Sequence, residues 1–153
     1  MIFKISIFLI SFALFANNYH LEDVADTFKI NKELLNKLEK NNIQTTIQFI
    51  LINKDSKMRA ENSKSYKISL EKLRELTSEF SLMRIKGIGP IIAKLLFRAN
   101  IKSLRTFKNS NLKKLEKELI KVNKKYGISP FTPNLKNLEG WQRQVKKLKI
   151  ILK

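Results

Sequence analysis

The chain contains no cysteine, which excludes disulfides, thiol nucleophiles and cysteine-ligated metals and leaves the redox compartment open. Histidine occurs once: His20, between Tyr19 and Leu21, reads as a surface or helix-start residue rather than a metal ligand. With no histidine near any motif, serine-based nucleophilic schemes fail. Aspartate stops at Asp55, and no acidic residue stands between Glu79 and Glu116. The carboxylate cluster that a divalent-metal nuclease requires is therefore missing after residue 80. No stretch of strict apolar and polar alternation is long enough to argue for a sheet. The composition points to a non-enzymatic protein that needs no cofactor and no metal.

What is abundant is positive charge, a formal +18 over 153 residues, with 25 Lys and 6 Arg. It is unevenly spread. Residues 61–83 carry four basic and four acidic side chains, whereas residues 84–153 carry 19 basic residues against Glu116, Glu118 and Glu139, a net +16. A low-GC genome could supply lysine, but such a bias would not strip acids from one half only. A field of this sign favours polyanions, nucleic acid first and anionic lipid second.

The amino terminus differs from the rest. Lys4 precedes an apolar stretch from Ile5 to Ala16 broken only by Ser6 and Ser11, so residues 1–18 read as a signal-peptide-like or anchor segment. The stretch is shorter than the roughly 20 residues of a membrane span. Leu14 stands where a cleavage site wants a small residue. Export, or tethering to a membrane through residues 1–16, is the expectation, with a cytoplasmic protein following if the start codon is misassigned.

From Tyr19 onward the apolar spacing is helical, which predicts an all-α fold. Helices are expected at Leu21–Thr27, Lys32–Lys40, Thr45–Ile52, Leu70–Met83 capped by Ser69, Pro90–Arg98, Ser103–Phe107, Leu112–Lys124, and Pro133–Leu152 capped by Thr132. The last places Leu135, Leu138, Trp141, Val145, Leu148 and Leu152 on one stripe, making Trp141 a core anchor. Asn53–Tyr66, polar apart from Met58, reads as a mobile loop between halves, and Gly127–Thr132 as an ordered turn. Glu116 and Glu118 read as solvent-facing partners for nearby lysines.

The halves overlay. Leu38 to Thr46 matches Leu96 to Leu104 at an offset of 58, and Leu70, Leu73 and Leu76 match Leu135, Leu138 and Trp141 at an offset of 65. The first offset sets Phe28–Lys32 against Lys86–Pro90, so the first turn lacks both glycines of the second. Residues 19–68 thus form a degenerate half with its polar loop, and residues 69–153 the intact half.

In that intact half, Leu82-Met83-Arg84-Ile85-Lys86-Gly87-Ile88-Gly89-Pro90-Ile91-Ile92-Ala93-Lys94-Leu95-Leu96 sets two glycines one residue apart between two helical patterns. Gly87 and Gly89 permit positive φ and close backbone approach, Pro90 suits the first helical turn, and bare N–H groups at a helix start attract phosphate. The pattern resembles the helix-hairpin-helix DNA-binding motif, with Ile88 plugging inward. Together with the degenerate first unit, the Ala99–Leu104 turn and a closing helix bearing Trp141, the chain resembles the bacterial family domain of unknown function 4332 over roughly Leu21 to Leu148. Asn100 stands where that family usually has glycine, and tolerates a left-handed turn nearly as well.

The family resemblance implies tandem helix-hairpin-helix units and no settled activity; the chemistry of the hairpin is what points to sequence-independent binding of DNA, or of RNA, through backbone phosphates. Gly87, Ile88, Gly89, Pro90 and Ile91 would form the cradle, Lys86 and Lys94 would add charge, and Arg98 and Lys102 would extend the patch. The alternative is a helical module that binds another protein, with the glycines serving the turn alone. Glycosylases built on this hairpin use an aspartate downstream of it, which this chain lacks.

Overall fold

A computed structural model describes residues 17–152; the signal-peptide or anchor reading of residues 1–16 falls outside them. Among the described residues nine helices follow one another: α1 (Leu21–Phe28), α2 (Lys32–Lys40), α3 (Thr46–Ile52), α4 (Ser56–Tyr66), α5 (Leu70–Met83), α6 (Pro90–Arg98), α7 (Leu104–Lys108), α8 (Leu112–Tyr126) and α9 (Leu135–Val145). The fold of the described residues is all-α, its only β feature being an isolated bridge from His20 to Thr45. None of these helices is long and apolar enough to cross a membrane.

Capping explains most helix starts. Asn31, Thr45, Asp55, Ser69, Ser103, Asn111 and Asn134 each accept a first-turn N–H with a side-chain oxygen. The exposed His20 precedes α1 without a side-chain bond, in keeping with a helix-start residue.

Helix α5 is the spine. From Leu73 to Met83 it buries eight side chains, and it packs against α3, α4 and α6. Phe80 meets Phe28 of α1 and Phe49 of α3 edge to face, at centroid distances of 5.1 and 5.3 Å. One hydrophobic core continues from there through Ile88, Leu95, Leu96, Phe107 and Leu119 to Leu138 and Trp141.

The repeat is visible in the backbone. Asn42 and Asn100, 58 residues apart, both adopt left-handed φ, at 60° and 65°, and each is followed by an isoleucine whose N–H returns to Leu38 or Leu96. Lys29 and Gly87 occupy the same place in the two interhelical turns, both with positive φ, and Ile30 and Ile88 beyond them are buried. At the far ends, Lys67 and Gly127 both close a helix in the left-handed conformation after Tyr66 and Tyr126. Helix α5 belongs to both units: by the 65-residue offset it matches α9, and by the 58-residue offset its last turns match α1.

Two sequence expectations are corrected. Residues 53–66 are not a loop: α4 runs from Ser56 to Tyr66 with no buried residue, so hydrophobic spacing gave no signal for it. Asp55 starts it, Arg59 and Asn62 tie it to the carbonyls of Asn53 and Ile52, and Ser63 donates to Ile68 O. The last helix is shorter than expected. It starts at Leu135, where Asn134 and Asn137 cap each other's backbone, and it ends at Val145. Beyond that, Arg84 Nη1 donates to Lys149 O at 2.9 Å across the fold. Leu135, Leu148 and Leu152 are consequently only half-buried.

Candidate functional site

The turn between α5 and α6 is built from both sides. Arg84 caps α5, Ile88 N–H closes onto Ile85 O at 3.0 Å, and Gly87 takes φ 96°. Ile85 and Ile88 point into the core, fully buried, which leaves Lys86 and Gly87 exposed at the tip. Helix α9 braces this tip: Gln144 accepts from Lys86 N–H at 2.9 Å and donates back to Lys86 O at 3.0 Å. Trp141, buried as expected of a core anchor, lies under Gly87, so that a methyl group there would come within 2.8 Å of its Nε1.

The two glycines differ in their reasons. Gly87 is demanded by the fold, through positive φ and the indole beneath it. Gly89 is not: contrary to the sequence expectation its φ is −87°, which any residue adopts, and a Cβ there would meet nothing within 4 Å. It is the N-cap of α6, and it offers no side chain to cap the helix. The N–H groups of Gly89, Ile91 and Ile92 find no backbone or side-chain acceptor among the described residues, and Pro90 has none to offer. Ile91 is 39% exposed beside them. A bare, sterically open helix start next to Lys86 is the arrangement that accepts an anion.

The predicted site residues do not all converge. Lys86, Gly87, Gly89, Pro90 and Ile91 share the tip, with Ile88 as its buried plug. Lys94 is half-buried one turn on, its Nζ 5.3 Å from the centroid of the Phe28 ring. Arg98 and Lys102 lie at the other end of α6, about 12 Å along its axis. There Arg98 stacks on Tyr126 at 5.9 Å and Lys102 on Phe97 at 5.5 Å. They line a separate cleft and do not extend the tip.

Sequence reasoning missed the bracing residues. Gln144 is three positions after Trp141 and shares its face, yet nothing in the sequence says that it holds a turn 58 residues away. Gln142 similarly donates to the carbonyls of Phe107, Lys108 and Ser110. Glu116 is not a solvent partner of lysines: its Oε1 accepts the N–H of Leu135 at 2.7 Å, helping to start α9. Glu118 does approach Lys121, at 4.0 Å. Below the tip, Arg84 is buried, its Nε without a partner among the described residues, and burial pulls its pKa below the ordinary range. No group of three or more potential metal ligands occurs among the described residues.

Residues 17–152 thus define an all-helical protein with repeated interhelical turns, one of which exposes backbone donors on a basic surface. The chain belongs to the family Domain of unknown function (DUF4332), whose profile matches residues 28–148. No curated protein and no solved structure matches it.

Proposed function

We propose that the chain binds nucleic acid, duplex DNA first, by its phosphate backbone at the α5–α6 turn, as a non-enzymatic, sequence-independent contact of the helix-hairpin-helix kind. The carrying observation is Gly89: neither its conformation nor its surroundings call for glycine, and its lack of a side chain leaves the start of α6 open. A phosphate oxygen there would accept from the N–H groups of Gly89, Ile91 and Ile92 while Lys86 supplies charge. Such contacts position a duplex without reading bases. The first turn lacks this opening, because Asn31 fills the equivalent N-cap and takes the N–H of Leu34 at 2.8 Å.

A second reading, a helical module that binds another protein, is favoured by exposed Ile91, Ile120 and Phe131. Duplex titration at several salt concentrations separates the two. Binding should weaken with salt, with a log–log slope of about −0.9 per phosphate neutralised. Lys86→Glu should weaken binding at least fivefold and flatten the slope, whereas Lys32→Glu, an equal charge change at the first turn, should have a smaller effect. Equal affinity for wild type and both variants would overturn the assignment of the site.

A further inference from the structure

Four of the six arginines in this lysine-rich chain line one cleft. Arg59 of α4, Arg74 of α5, Arg98 at the end of α6 and Arg105 of α7 surround it, with Lys102 beside them. The volume is about 910 Å³, within the roughly 300–1,000 Å³ that small-molecule sites occupy. These residues come from four helices in both repeats, so only the fold assembles them.

Among the described residues no carboxylate forms an ion pair with these arginines. Glu71 and Glu75 line the same cleft, yet neither pairs with an arginine; Glu75 lies 3.9 Å from Lys72 instead. Arg59 gives one donor to Asn53 O, while its Nε is buried with no partner among the described residues. Its pKa is lowered by burial and then by the nearby charge of Arg74, a crowding that a bound anion would relieve. Guanidinium groups are the side chains suited to bidentate contact with phosphate oxygens. Phe97, Leu104, Ile150 and Leu152 line the same cleft and give it an apolar wall, with Lys102 Nζ over the Phe97 ring at 5.5 Å. Arg84 holds the last two near it by fixing Lys149 O.

We propose that this cleft, separate from the α5–α6 turn, binds a nucleotide, its phosphates on the arginines and its base against the apolar wall. The probes are ATP, inorganic triphosphate and adenosine, titrated calorimetrically into the full chain at fixed ionic strength. ATP should bind with one-to-one stoichiometry and more tightly than triphosphate, and adenosine should bind weakly. Arg74→Gln/Arg105→Gln should lower ATP affinity at least tenfold. Both positions are exposed, so the helical circular dichroism signal should be retained. The charge-matched control Lys113→Gln/Lys117→Gln on α8 should change ATP affinity less than twofold. As a measurement free of substitution, ATP should shift the arginine Nε–Hε resonances of the wild type.

Equal losses in the two double variants would overturn the proposal in favour of diffuse charge attraction, as would absence of ATP binding. Triphosphate binding as tight as ATP would overturn the role of the apolar wall. Single-stranded oligonucleotides that bind through these arginines while ATP does not would assign the cleft to a polymer instead. Duplex binding by Lys86→Glu is read separately, so either site can fail alone.

Discussion

A methyl group added at position 87 would meet Trp141 Nε1 at 2.8 Å on a backbone already at φ 96°, whereas one added at position 89 would meet open space. Gly87→Ala should therefore cost about 2 kcal/mol in urea unfolding, since strained φ alone costs about 1–3 kcal/mol. Gly89→Ala should leave stability within about 0.5 kcal/mol of wild type, and yet weaken duplex binding by narrowing the approach to α6. A large stability loss at Gly89 would show that its glycine serves the fold. Sequence reading singled out both glycines but assigned them one reason, because neighbouring residues reveal neither φ nor what lies beneath. Asn100 was legible: its left-handed φ of 65° is what its place before Ile101 implied.

Among elements, α9 does the most for the site. Its Gln144 makes two hydrogen bonds to Lys86, and its Trp141 floors the tip. Gln144→Ala should lower global stability by about 1 kcal/mol or less, since water can replace partly exposed bonds. Amide exchange at Lys86 and Gly87 should quicken disproportionately, and duplex affinity should fall with it. Unchanged exchange there would remove the bracing role. Helix boundaries governed by local signals, the Asn31 and Ser69 caps of α2 and α5 and Pro90 in the first turn of α6, were legible. Helix α4 was not, because its stability rests on a cap and on tertiary hydrogen bonds rather than an apolar stripe. The end of α9 escaped for a related reason: the tie from Arg84 to Lys149 is 65 residues long in sequence.

For the whole molecule, charge is distributed so that burial and attraction oppose each other at Glu79 on the central helix. It is 1% exposed, its Oε2 has no partner among the described residues, and its pKa is pushed up to about 7. Burial is the main cause and the Glu75 charge the next, against smaller opposing effects of Lys94, Lys72 and Arg98. The folded carboxyl keeps its proton up to about pH 7, whereas the unfolded chain releases it near 4.5. Between these values the native state holds more protons, so this group makes stability fall as pH rises and stay low above about 7. Glu79→Gln should raise the urea midpoint at about pH 8 and change it little at about pH 5, the difference being on the order of 3 kcal/mol at most. An equal effect at both pH values would show that Glu79 is not the titrating group.

By itself, the sequence determined the helical class, most helix starts, the repeat, the one turn with two glycines and the basic bias of the second half. Each of these is local or periodic, set by side chains within a few residues or at a fixed spacing. Only the tertiary structure decided that Gly89 is open while Gly87 is packed on Trp141, that Gln144 pins the tip, and that Arg98 and Lys102 leave it to join Arg59, Arg74 and Arg105. Those outcomes depend on which helix faces cross in the shared core, a long-range result that spacing along the chain does not encode.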